Sequence, residues 1–250
     1  GADVVTIGVQ PNGLNINLEC GATHCATLQK AVKQNHADLG IALDGDGDRV
    51  MMVDKQGRSY DGDQLIYIIA KHRQQKKTLI GGIVGTLMTN LAIEDQFKKL
   101  NIPFLRANVG DRYVLELLQE KKWHLGGENS GHIICMDKHT TGDGIISALQ
   151  VLYALRDTNK TLAEFMRGVS LYPQRLINVR IPQTFNFNTN KAIKTVQQEA
   201  EADLNGNGRV LIRPSGTEPL IRVMVEGKFK HKVNFWAERI AETVQATSAS

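Results

Sequence analysis

Short apolar runs recur along this chain, and each is bounded by glycine, proline or an acid: LGIAL at 39–43, VMMV at 50–53, LIGGIV at 79–84 and PFLRA at 103–107. Alongside them stand stretches with apolar residues at helical spacing, over 23–36, 64–72, 87–100, 112–119 and 144–155. Runs this short pack as strands, and helices alternating with strands cover the faces of a sheet. The pattern therefore predicts α/β domains with parallel layers. A first run, VVTIG at 4–8, reads as a buried strand almost at residue 1, so the chain is expected to begin in the middle of a domain. Two short strands are expected around 127–128 and 133–134. After Tyr172-Pro173 the order changes to a strand (177–181), a polar loop, a helix (191–204), two strands (210–212 and 220–225) and a last helix ending near 244. That order predicts a small α+β domain with helices on one face of a sheet.

With 250 residues, 42% of them hydrophobic and 22% charged, the chain has room for two or three small domains. Its formal charge of +4 suits an anionic ligand. The basic residues are scattered, however, and their longest cluster is Lys76-Lys77, so no nucleic-acid partner is expected. Cys20, Cys25 and Cys135 make an odd set whose spacing fits neither a zinc site nor a disulfide framework, which predicts reduced thiols and a cytoplasmic location. No apolar run is long enough to span a bilayer, and the first residues carry neither the basic nor the apolar region of a leader, so no membrane partner is expected.

Three loops carry the chemistry. Asp44-Gly45-Asp46-Gly47-Asp48-Arg49 follows an apolar strand and sets three carboxylates at alternate positions. Glycine lets that backbone turn sharply, and hard oxygen ligands at this density suit Mg²⁺ or Ca²⁺. An EF-hand loop would need Gly and Glu where Arg49 and Lys55 stand, and a solvated acidic turn would leave three carboxylates repelling one another. Gly127-Glu128-Asn129-Ser130-Gly131-His132 gathers an acid, an amide, a hydroxyl and an imidazole, a set able to bind sugar hydroxyls or, more plainly, to form a polar hairpin. Arg213-Pro214-Ser215-Gly216-Thr217-Glu218-Pro219 offers a planar guanidinium fork, two hydroxyls and turn amides. Those groups fit a phosphate, or else a turn in which Glu218 neutralises Arg213. A fourth segment, Asn108 to Arg112, closes a strand and opens a helix, where Arg112 and helix amides can meet an anion while Asp111 caps the helix.

Together and in this order, DGDGDR (44–49), VGDRYVLE (109–116), GENSGH (127–132) and RPSGTEPLIRVMVEG (213–227) resemble the α-D-phosphohexomutase family over essentially the whole chain. Within it, GENSGH, VGDRYVLE and TTGDGI (140–145) are similar to the bacterial members that act on glucosamine phosphates, whereas members acting on mannose or glucose phosphates carry another residue where Asn129 stands. The resemblance implies part of a second α/β domain over 1–58, a third over 59–172 and an α+β fourth over 173–250. It also implies that the family's T-A-S-H-N-P loop, with the phosphoserine and a fourth metal ligand, lies outside these residues. The chain alone is therefore expected to show no turnover.

By that resemblance, Asp44, Asp46 and Asp48 hold Mg²⁺ and Arg49 adds positive charge beside it. Glu128, Asn129 and Ser130 bind the sugar, His132 and Arg112 line the cleft near the phosphates, and Arg213, Ser215, Gly216, Thr217 and Arg222 hold the phosphate that is not reacting. Arg49 and His132 are the candidates for a catalytic part. The implied reaction exchanges glucosamine 6-phosphate and glucosamine 1-phosphate through a 1,6-bisphosphate, with glucosamine or glucose 1,6-bisphosphate as activator. A mutase for mannose or glucose phosphates and a non-catalytic phosphosugar-binding module are the other readings. A homodimer of the full-length protein is one implied state among several.

Overall fold

The computed structural model describes all residues except 183, 184, 186, 216, 217, 249 and 250, and leaves the side chain of Asn188 undescribed. The chain divides into two compact units, residues 1–89 with 93–170 and residues 90–92 with 171–250.

The first unit opens with α1 (Ala26–Gln34), followed by β1 (Leu39–Leu43), β2 (Val50–Asp54) and β3 (Ser59–Tyr60). These strands form an antiparallel sheet in that order, with Leu43 opposite Val50. The expected parallel layer is not what forms here. Only the six-residue DGDGDR loop separates β1 from β2, and a parallel crossover needs a dozen residues or more. Leu28 and Val32 of α1 pack against Ala42 and Val53. Residues 4–8 are a second departure: they form no strand, and Val4, Val5 and Ile7 are exposed. Apolar composition does not make a strand unless a ladder partner takes up its amides, and β1 pairs with β2 alone.

Beyond β3 come α2 (Gly62–Gln75), β4 (Ile83–Thr86), α3 (Leu91–Lys99), β5 (Phe104–Ala107), α4 (Asp111–Lys121), β6 (Leu125–Gly127), β7 (Ile133–Cys135), α5 (Gly144–Thr158) and α6 (Leu162–Phe165). Here the parallel expectation holds. The strand order is β5-β4-β6-β7, with β4 parallel to β5 and β6, and β7 antiparallel at the edge. All four residues of β4 are buried, as befits a strand covered on both faces. A capping box between Asp61 and Gln64 starts α2, and Asp143 caps α5 by accepting from the Ile146 amide. At α4 the cap falls on Gly110 rather than Asp111, because the helix begins one residue earlier than expected and Asp111 lies in its first turn.

In the second unit β8 (Gln174–Arg180), α7 (Lys191–Leu204), β9 (Gly208–Pro214), β10 (Leu220–Gly227) and α8 (Lys230–Ser248) build an antiparallel sheet in the order β8-β10-β9. Ile221, Val223 and Val225 alternate along β10 into a core closed by Ile193, Val196 and Ala200 of α7 and by Val233, Ala237, Ile240 and Val244 of α8. This is the expected α+β arrangement. Among the described residues, no helix is long and apolar enough to cross a membrane.

Candidate functional site

The turn joining β1 to β2 brings its three aspartates together. One carboxylate oxygen from each of Asp44, Asp46 and Asp48 lies within 4.8 Å of the others. The turn closes when Gly47 donates its amide to the Asp44 carbonyl at 3.2 Å, with Gly47 at φ +74°, a conformation glycine adopts freely. Asp44 Oδ1 accepts from the Arg49 amide at 3.0 Å. The Arg49 guanidinium folds back over the turn, its Nε 3.6 Å from Asp44 Oδ2 and 3.8 Å from Asp48 Oδ1. Three carboxylates against one guanidinium leave excess negative charge, and Asp48 Oδ1 is buried without a hydrogen-bond partner. Hard oxygen donors, close convergence and an unsatisfied carboxylate oxygen together fit a divalent cation.

The GENSGH loop, between β6 and β7, is stitched to this turn through the backbone. Arg49 and His132 form an isolated antiparallel bridge, and the Val50 amide donates to the Gly131 carbonyl at 3.0 Å. Gly131, at φ +97°, leaves no space for a side chain, since a methyl there would overlap the Val50 carbonyl. The Gly62 amide, at the start of α2, donates to the Asn129 carbonyl at 3.1 Å. Beside it, burial pushes the capping carboxyl of Asp61 up to about 6, against hydrogen bonds from the Gln64 and Asp63 amides that lower it.

His132 is buried against the aspartate turn, with Nδ1 2.9 Å from Asp48 Oδ2. A carboxylate only accepts, so Nδ1 carries the proton. Glu128 is also buried, and its Oε1 accepts from the Gly110 amide at 3.0 Å, tying the GENSGH loop to the head of α4. Asn129 is half-buried and Ser130 exposed. Arg112 is turned along α4 to Glu116, 2.7 Å away, and that bond holds its guanidinium above its ordinary pKa. Arg49, His132 and the three aspartates are thus one cluster, Glu128 stands in the loop that carries His132, and Arg112 is paired on the helix surface.

In the second unit Arg213 of β9 stands directly opposite Arg222 of β10. Burial, and then the facing Arg222, hold the Arg213 guanidinium below its ordinary pKa. Arg222 Nη2 reaches Ser215 Oγ at 3.5 Å, while its Nε is buried and unpartnered. Among the described residues no ion pair joins Glu218 to Arg213. Gly216 and Thr217 lie outside the described residues.

Missing from the expectations was a function for TTGDGI. The structure places Gly142 against His132 and Gly144 against the metal turn, with the Gly144 amide donating to the Gly47 carbonyl at 2.9 Å. The glycines themselves were the signal, since each stands where a neighbouring backbone or ring approaches closely.

An aspartate turn beside the polar GENSGH loop in one unit, and an arginine pair on adjacent strands in the other, sit on the architecture of one enzyme family, and the chain belongs to it. The families described as Phosphoglucomutase/phosphomannomutase, alpha/beta/alpha domain II, alpha/beta/alpha domain III and C-terminal domain match residues 3–57, 61–172 and 176–243. Among curated relatives, the phosphoglucosamine mutase of Nitrosospira multiformis is 68% identical over 249 residues, covering all of this chain and 54% of that protein. The phosphoglucosamine mutase of Nitrosomonas europaea is 64% identical over 250 residues, covering all of this chain and 55% of that protein. This chain therefore spans about half the length of the curated relatives it matches. Among solved structures, an Aspergillus fumigatus N-acetylphosphoglucosamine mutase in complex with GlcNAc-6P and magnesium aligns with a TM-score of 0.74 at 22% identity, covering 92% of this chain and 57% of that one. At that identity the likeness shows the phosphohexomutase fold.

Proposed function

We propose that this chain supplies the metal-, sugar- and phosphate-binding parts of a phosphoglucosamine mutase, which exchanges glucosamine 6-phosphate and glucosamine 1-phosphate through a 1,6-bisphosphate. The observation that carries the reading is the convergence of Asp44, Asp46 and Asp48 within 4.8 Å, hydrogen-bonded through Asp48 to His132 of the GENSGH loop. The choice of an amino-sugar substrate is supported by the identity to phosphoglucosamine mutases over the whole chain.

Asp44, Asp46 and Asp48 would hold Mg²⁺, which when bound neutralises charge on a transferring phosphoryl group. Arg49 brings a fixed positive charge to the same place, and His132 holds Asp48 in position. Glu128, Asn129 and Ser130 bind ring substituents, so one loop serves the sugar in either orientation. Arg213, Ser215 and Arg222, with Gly216 and Thr217, bind the phosphate that is not reacting, and that remote binding positions the reacting end. The phosphoryl carrier implied by the family, a serine in a T-A-S-H-N-P loop, is not among these 250 residues.

The test is a coupled assay of the full-length protein with Mg²⁺ and a sugar 1,6-bisphosphate, comparing glucosamine 6-phosphate with mannose and glucose phosphates. Turnover highest on glucosamine 6-phosphate is expected. A preference for mannose or glucose phosphate overturns the substrate, and no turnover on any of them overturns the reaction.

A further inference from the structure

The segment between β7 and α5 reaches under the metal turn with two glycines. Gly142 pairs with Ile134 as an isolated bridge, which sets its Cα against the His132 ring. A methyl on Gly142 would overlap that ring, with Cε1 2.6 Å away and Nε2 nearer still. The ring cannot retreat freely, because His132 is 4% exposed and its Nδ1 is committed to Asp48. Two residues on, a methyl at Gly144 would lie 2.7 Å from the Arg49 carbonyl oxygen, 2.7 Å from Leu43 Cδ2 and 2.9 Å from the Gly47 carbonyl oxygen. The two carbonyl oxygens belong to the backbone of the turn itself, and Leu43 ends β1.

We propose that Gly142 and Gly144 are positioning residues for the metal turn: Gly142 sets the His132 ring at the distance that holds Asp48, and Gly144 holds the carbonyls of Gly47 and Arg49 against the start of α5. This rests on reading Asp44, Asp46 and Asp48 as the metal ligands. The His132 Nδ1 contact engages Oδ2 of Asp48, while Oδ1 of the same carboxylate lies 3.8 Å from Arg49 Nε. A ring displaced by even an ångström loses a 2.9 Å hydrogen bond and releases the carboxylate to other rotamers. Glycine is needed at 142 for space alone, since its φ is not in the left-handed region. The requirement therefore disappears when the ring is removed, and that gives the proposal a signature a general packing defect lacks.

The experiment uses the 250-residue chain as parent, Gly142→Ala, His132→Ala and the double variant. Mn²⁺ binding is followed by electron paramagnetic resonance, the His132 Nδ1–H by long-range ¹H–¹⁵N NMR, and folding by circular dichroism. Gly142→Ala is expected to weaken Mn²⁺ at least fivefold and to lose the protected Nδ1–H signal. The double variant is expected to bind Mn²⁺ within twofold of His132→Ala. Gly142→Ala that retains both parent affinity and the ring signal overturns the proposal, as do losses that multiply in the double variant. Should Gly142→Ala fail to fold, a folded double variant supports the steric argument, and a double variant that also fails overturns it. A parent that binds no Mn²⁺ removes the metal reading, and the NMR signal then decides the positioning of the ring by itself.

Discussion

Replacing Arg222 with methionine should stabilise the chain in anion-free buffer and abolish its stabilisation by phosphate. Arg213 and Arg222 are direct cross-strand partners, both half-buried, and no carboxylate among the described residues is ion-paired to either. Like charges placed opposite each other on a sheet destabilise it by roughly 0.2–1 kcal/mol. The unpartnered Arg222 Nε adds a desolvation cost of about 1 kcal/mol, the lower end of the usual range because Arg222 as a whole is only half-buried. Methionine keeps an unbranched stem on the strand and removes both costs, a gain of about 1–2 kcal/mol. For a unit of this size that raises the unfolding midpoint by roughly 4–16 °C. Phosphate acts in the opposite sense on the parent, adding about 1.4 kcal/mol at tenfold excess over its dissociation constant. Thermal unfolding by circular dichroism, in zwitterionic buffer with phosphate or chloride at equal ionic strength, reads both effects. A variant less stable than the parent without anion refutes the electrostatic strain, and a phosphate shift that survives the substitution refutes Arg222 as an anion ligand.

Asp46→Asn, at the exposed member of the aspartate set, should weaken Mn²⁺ binding to the chain at least tenfold and lower turnover of the full-length protein by about a hundredfold, with a smaller change in KM, because the metal acts mainly during transfer. Turnover within threefold of the parent removes Asp46 from the ligand set. Asp54→Asn should cost about 2–3 kcal/mol in denaturant unfolding, since the buried Asp54 carboxylate accepts from the Gln56 and Arg58 amides, Arg58 Nε and Tyr60 Oη. Burial raises the Asp54 pKa, but the hydrogen bonds from Arg58 and Tyr60 outweigh it and hold it below the ordinary value. Its stabilisation is therefore present above the unfolded carboxyl pKa of about 4 and lost as pH falls through the lower folded value. The parent should lose its advantage over the variant on the acid limb, and a constant difference down to pH 2 contradicts the linkage.

Local chemistry was legible in the sequence, and partnership was not. Helix α7 lies where its spacing places it, because Asn190 and Asn205 cap its two ends. The three carboxylates converge, since one six-residue turn holds all of them. The first sheet departs from the expected parallel layer because the run at 4–8 forms no strand and no helix separates β1 from β2. Residues 4–8 looked like a strand by composition, yet a strand exists only through a neighbour's amides. Asp111 has the chemistry of a cap and sits one position too late. The closeness of Gly142 to His132 and the opposition of Arg213 to Arg222 depend on pairing between separate segments, which no local pattern encodes.

The loops of the first unit are joined by main-chain bonds: Val50 to Gly131, Gly62 to Asn129, and Gly144 to Gly47. Such bonds do not depend on which side chain a position carries. Asn129 thus anchors the scaffold with its carbonyl, and under the proposed function the half-buried side chain is the part that chooses the sugar. Under that proposal, substrate preference would change at that position while the main-chain frame around the aspartate turn stayed intact, so single substitutions would retune one framework from one hexose phosphate to another.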